Sequence, residues 1–150
     1  LIATAGHFGA QFSGCDEDTV TLLREFGEQI GVAFQLADDL IDLASESSES
    51  GKTPGTDLRE GVPTLPVLLA RRSTDPADGR LLELLAGDLD DDDRHLEALT
   101  LLRAHPAMHE AQAVTQQWAE RARSSLDVLP DSPVKSALQD LALAVVHRTG

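Results

Sequence analysis

Asp38, Asp39 and Asp42 put three carboxylates into five residues of a stretch, Gly31 to Leu43, that is otherwise mostly apolar. On an α-helix Asp38 and Asp42, four apart, stack on one face, and Asp39 turns about 100° away. Gln35 precedes Asp38 by three and shares its stripe, which Gly31 continues without a side chain. Val32, Phe34, Leu36, Leu40, Ile41 and Leu43 fill the other sides and need protein around them. On a wet surface, two like charges at this spacing cost only a few tenths of a kcal/mol. In a cleft of effective dielectric near 20, carboxylates about 6 Å apart repel by roughly 3 kcal/mol. The apolar neighbours favour the cleft, and such a cleft calls for a cation. Hard divalent ions take oxygen ligands, and Mg²⁺ divides its positions among water, one or two carboxylates and phosphate. A solvated acidic patch on an amphipathic helix accounts for a bare Asp-Asp-x-x-Asp equally well, because short motifs recur by chance.

The element that must carry these groups is a helix from about Thr19 to Ala44. Val20, Leu23, Phe26, Ile30, Ala33, Ala37, Leu40 and Ala44 step by three or four, the helical period. At 1.5 Å per residue it spans about 40 Å, with the aspartates near its C-terminal end. Asp16 or Asp18 is placed to cap its start. Before it, Leu1 to about Gln11 reads as the end of a helix, where Ala3, Ala5, Gly6, Gly9 and Ala10 permit close packing. After it, residues 45–61 are polar and rich in Ser and Gly, and they carry Lys52 and Arg59 back toward the aspartates. Long loops in compact domains are often functional, but a mobile linker has the same composition.

Further helices are expected from Thr64, with Pro66 in the first turn, around Asp78 to Ala86, and through Leu102. The acidic run Asp88 to Asp93 fails as a calcium loop, since Asp93 stands where Gly is needed and Leu99 where Glu is needed. It is expected to cap the helix that follows. His105 and His109, four apart, are read as two surface histidines at the start of a helix that opens with Pro106. Ala111, Val114, Trp118, Ala122 and Leu126 mark the buried stripe of that helix, and Val134, Leu138, Leu141 and Val145 that of the last one.

With 150 residues, 41% of them hydrophobic, the chain suits one globular domain. Aromatic residues make up only 3% and Tyr is absent, while Ala and Leu abound, a mixture that favours an all-α fold. A formal charge of −14 disfavours nucleic acid and acidic membrane surfaces as partners. No run approaches the ~20 apolar residues of a transmembrane segment. The single Cys15 excludes an intramolecular disulfide and fits a reducing compartment, so a cytoplasmic location is expected. The chain lacks an initiating Met and opens in mid-pattern, which points to a fragment.

Three linked blocks resemble the trans-polyprenyl diphosphate synthases: Phe34 to Asp42, Gly51 to Leu58, and Thr64-Leu65-Pro66. Their order and loop length make the likeness far more specific than Asp-Asp-x-x-Asp alone. It covers nearly the whole chain as the C-terminal part of the family's domain, most strongly residues 31–70. The resemblance implies an isoprenoid-synthase-type helical bundle around a deep cavity, with 1–150 a single helical segment of it. It also implies Mg²⁺-dependent elongation of an allylic diphosphate by isopentenyl diphosphate. In that reading Asp38 is a direct Mg²⁺ ligand, and Asp39 and Asp42 complete the site directly or through water. Gln35 orients the aspartates or the diphosphate, and Lys52 contacts the allylic diphosphate. Phe34 either faces the reacting centre or packs. The family commonly dimerises, and a homodimer is expected.

These residues depart from the family pattern in three ways. The first aspartate-rich motif is absent from them, as are the basic residues that hold isopentenyl diphosphate. Val62 stands where many members have a basic residue. The isolated 150 residues are therefore expected to be inactive. A non-catalytic accessory subunit and a terpene cyclase are the competing readings. The intact aspartates with Lys52 oppose the first, and the loop with Thr64-Leu65-Pro66 opposes the second.

Overall fold

A computed structural model describes residues 1–45 and 54–147. Among the described residues the secondary structure is helical throughout, without strands. The helices are α1 (Ile2–Phe12), α2 (Glu17–Ala44), α3 (Thr56–Arg59), α4 (Leu65–Ala70), α5 (Gly79–Ala86), α6 (Asp92–Ala104), α7 (Pro106–Ser125) and α8 (Pro133–Ala144). They gather into two compact units, one of residues 1–37 and 114–147, the other of residues 38–113. The helices α2 and α7 contribute residues to both.

In the first unit Phe26, Ile30 and Ala33 of α2 are buried with Ala119, Ala122, Leu126, Ala142 and Val145. Small residues let the backbones come together here. A Cβ built on Gly6 would lie 2.3 Å from the Leu23 carbonyl oxygen, and one on Gly27 would lie 2.8 Å from Ala3 Cα. The first turn of α2 is capped by Asp16, whose Oδ1 accepts from the Thr19 amide at 2.8 Å. On α8 the buried face runs through half-buried Leu138 to Ala142 and Val145, while Val134 and Leu141 are exposed. Leu138 and Val145 lie on the expected stripe, but Ala142 takes the place given to Leu141, because the expectation counts bulky residues and passes over Ala.

The second unit has its own core, with Leu43, Leu58, Val67, Leu84, Leu99, Leu102 and Met108 among its buried residues. Leu43 rather than Ala44 ends the buried stripe of α2. The acidic run caps α6 as expected: Asp91 Oδ1 accepts from the Arg94 amide at 3.0 Å. Pro66 sits in the first turn of α4, and Pro106 opens α7. His105 is not a surface residue. Its side chain is only 10% exposed, and Nε2 meets Asp78 Oδ2 at 3.1 Å. Its Nδ1 accepts from the Ala107 amide at 3.0 Å, which leaves Nε2 as the nitrogen that donates to Asp78. His109 is exposed. Among the described residues no helix is long and apolar enough to cross a membrane.

Candidate functional site

Asp38, Asp39 and Asp42 lie on the last turns of α2, within the second unit, and all three are half-buried. Two sets of polar contacts fix this end of the helix. Arg103 of α6 reaches it, Nε donating to the Leu43 carbonyl at 2.5 Å and an Nη to the Ser45 carbonyl at 2.7 Å. A guanidinium here satisfies carbonyls that a helix C-terminus leaves open, and it complements the negative end of the helix dipole. The second set comes from the chain that returns after the loop. Gly55 donates its amide to the Asp42 carbonyl at 2.9 Å. The Asp42 carboxylate then accepts two more amides, Thr56 to Oδ1 and Asp57 to Oδ2, each at 3.2 Å.

Asp42 thus caps α3, a four-residue helix inside what the sequence pattern presents as a loop. Gly55 makes the turn possible. Its φ is +68°, a left-handed conformation that favours glycine, and a Cβ there would lie 3.0 Å from His95 Nε2. The geometry brings Asp57, absent from the expected site, beside the other carboxylates. Burial first, then the charges of Asp42, Asp39 and Glu60, push the Asp57 carboxyl above the usual aspartate range. Negative charge is therefore concentrated where α2 ends and α3 begins.

Arg59 does not return to the aspartates. It turns to α6, one Nη donating to Asp92 Oδ1 at 2.7 Å and the other to the Asp90 carbonyl at 3.2 Å. Lys52 lies outside the described residues. In the first unit, Gln35 is exposed and lines an open, mainly apolar groove of about 610 Å³ with Ile2, Gly31, Val32 and Leu36. Phe34 is half-buried and packs against that unit's core. Val62 is 40% exposed.

Sequence reasoning passed over His95, Arg103 and Asp57. His95 is buried, at 4% exposure, and heads the inward stripe His95, Ala98, Leu99, Leu102 of α6. That helical spacing was a usable signal for its burial. Arg103 is the basic residue of the last turn of α6, and nothing local marks its partner 60 residues away.

Among the described residues no three histidine, cysteine, aspartate or glutamate side chains form a ready-made metal cage. Mg²⁺ does not require one, since it keeps several waters and takes one or two carboxylates together with phosphate oxygens. The donors present are hard carboxylate oxygens, and the repulsion felt at Asp57 is of the sign a cation would relieve. The donor set fits the ion.

The family model described as polyprenyl synthetase matches residues 1–102. The chain belongs to the polyprenyl synthetase family. It is 51% identical to the nonaprenyl diphosphate synthase of Mycobacterium tuberculosis over 150 residues, all of this chain and 45% of that protein. A geranylgeranyl pyrophosphate synthase from Corynebacterium glutamicum, solved with calcium and isoprenyl diphosphate, matches with TM-score 0.87 and 42% identity. The match covers 99% of this chain and 46% of that one. The heptaprenyl diphosphate synthase of Staphylococcus aureus matches with TM-score 0.88 and 30% identity, over 99% and 46%. The chain spans a little under half the length of the relatives it matches. Membership of the trans-polyprenyl diphosphate synthase family and its all-helical isoprenoid-synthase fold agree with the expectation from the three sequence blocks.

Proposed function

We propose that these 150 residues are the C-terminal part of a Mg²⁺-dependent trans-polyprenyl diphosphate synthase, and that the end of α2 holds the metal-bound diphosphate of the allylic substrate. The observation that carries the reading is the concentration of half-buried carboxylates, Asp38, Asp39, Asp42 and Asp57, in a member of this family. A solved relative is complexed with calcium and isoprenyl diphosphate, a divalent ion together with a diphosphate.

When bound, Mg²⁺ supplies positive charge for the oxygens of the departing pyrophosphate. The chain's own residues do the rest. Asp38 is the direct ligand, and Asp39 and Asp42 hold the site through an oxygen or an ordered water. Asp42 has both oxygens already taking backbone amides, so its position is set before any ligand arrives. Such preorganisation is what electrostatic stabilisation of a leaving group requires. Lys52 adds a charge on the diphosphate, and Gln35 orients the aspartates or the diphosphate. Phe34 is assigned to packing in the first unit. Both units are read as portions of one synthase domain, located in the cytoplasm.

The test is prenyl transfer by the complete synthase, measured as label from isopentenyl diphosphate entering longer diphosphates. Product is expected with an allylic primer and Mg²⁺, and none after chelation. Transfer that persists in chelator would remove the metal from the reading. A cyclic hydrocarbon as product, or no product until a second protein is added, would replace synthase by cyclase or accessory subunit. The isolated 150 residues are expected to give no transfer, because the family's first aspartate-rich motif is absent from them.

A further inference from the structure

Asp42 is locked by backbone amides, and one of the peptide groups that supply them is held from the far side by a buried histidine. One Nη of Arg59 approaches His95 Nδ1 at 3.2 Å, and His95 Nε2 lies 2.9 Å from the Gly55 carbonyl oxygen. A guanidinium only donates, so Nδ1 must accept, and the ring proton is on Nε2, from which it is given to Gly55. Arg59 is fixed in turn by Asp92 and the Asp90 carbonyl, which makes this tautomer a consequence of α6 itself.

The Gly55 carbonyl and the Thr56 amide belong to one planar peptide group. His95 binds that plane at its oxygen, and Asp42 Oδ1 binds it at its nitrogen. Tilting the plane to lengthen one bond must move the other. The fit is tight as well, since a Cβ at Gly55 would lie 3.0 Å from His95 Nε2 and 3.1 Å from Leu99 Cδ1.

We propose that His95 is a positioning residue for the diphosphate site, setting through the Gly55–Thr56 peptide the orientation of the Asp42 carboxylate. The proposal rests on the functional reading above for its consequence, and on the bonds alone for its geometry. Two substitutions separate its two bonds. In His95→Gln the amide nitrogen falls near the Nε2 position and can still donate to Gly55. In His95→Asn the amide oxygen falls near Nδ1, which keeps Arg59 but leaves the Gly55 carbonyl without its side-chain donor.

Both variants are made in the complete synthase. Hydrogen exchange is followed by mass spectrometry over residues 54–62, and Mg²⁺-dependent binding of inorganic pyrophosphate is followed by calorimetry. His95→Asn should exchange faster in this segment and bind about tenfold more weakly, as expected when a supporting partner of a ligand is removed. His95→Gln should stay close to the wild type in both. Equal behaviour of the two variants, or a His95→Asn protein unchanged in both readouts, would reduce His95 to a space-filling residue.

Should His95→Asn fail to fold, the wild-type ring decides. A long-range ¹H–¹⁵N spectrum must show His95 protonated at Nε2, and protonation at Nδ1 alone would overturn the proposal. If the wild type binds no pyrophosphate with Mg²⁺, the functional reading fails, while the exchange comparison still judges the positioning role.

Discussion

Along its first turns α2 is secured by shape, and along its last turns by direction. In the first unit Gly6 and Gly27 remove the side chains that would keep backbones apart, and Phe26, Ile30 and Ala33 face an apolar core. The Thr19 amide donates to Asp16 where the helix starts, and close packing carries the stretch that follows. In the second unit the end of the same helix is met by Arg103 at two carbonyls and by three successive amides at Asp42. Packing tolerates small rotations of a side chain, whereas a carboxylate that accepts two amides has its plane fixed. The contrast shows where accuracy matters in this chain: polar tethers from distant residues gather at the carboxylates.

The largest expected effect breaks the polar end outright. Asp38→Ala in the complete synthase should lower turnover by at least about 100-fold, the scale on which one charge-stabilising group at a reacting centre acts. Helix content by circular dichroism should not change. Near-normal turnover at saturating Mg²⁺ would remove Asp38 from the mechanism.

The packed end is tested with three glycines. Gly6→Ala and Gly27→Ala each force a methyl into backbone atoms, an overpacking that costs about 1–3 kcal/mol. That outweighs the gain of about 1 kcal/mol from replacing a helical glycine by Ala. Both should lower the thermal unfolding midpoint, with Gly6 giving the greater drop because its contact is shorter. A methyl added at Gly9 meets nothing within 4 Å, so Gly9→Ala should raise the midpoint. If all three glycines behave alike, close approach does not hold this end.

Arg103→Met sharpens the comparison from the polar side. It keeps the aliphatic stem and removes both charge-assisted bonds, for an expected loss of about 1–2 kcal/mol in denaturant unfolding. A loss below measurement error would leave the end of α2 to its α3 contacts alone.

The smallest effect concerns the joint between α5 and α7, which uses polar bonds away from the site. The Ser73 hydroxyl and then the His105 ring hold the Asp78 carboxyl below the usual aspartate range. A group depressed in the folded state contributes stability above its unfolded value, near 3.9, and loses it as pH falls through the lower folded value. Urea midpoints should therefore fall more steeply for the wild type than for Asp78→Asn below about pH 4. Parallel curves would show that Asp78 titrates as it does in the unfolded chain.

Much of the fold was legible because α2, α6 and α7 are long enough for their period to emerge, and because Asp16, Pro66 and Pro106 mark helix starts by local chemistry. The face of α8 was misjudged where small Ala142 is buried and bulky Val134 is not, since burial follows the neighbour's shape as well as residue size. The helix α3 could not be read at all. Its four residues are too few to show a period, and Asp42 and His95, 14 and 39 residues from Thr56, hold it in place. The aspartates of the site stood out because charges among apolar neighbours are rare. Their supports did not, because His95, Arg103 and Gly55 act through bonds between distant parts of the chain.

The central claim is that the carboxylates closing α2 hold a divalent ion against a diphosphate. Crystals of the complete synthase grown with Mn²⁺, a visible substitute for Mg²⁺, and pyrophosphate test it directly through anomalous scattering. The account predicts an anomalous peak bonded to Asp38, with pyrophosphate oxygen on its other side and Asp42 still capping α3. Ordered pyrophosphate elsewhere, with no peak at the end of α2, would contradict it.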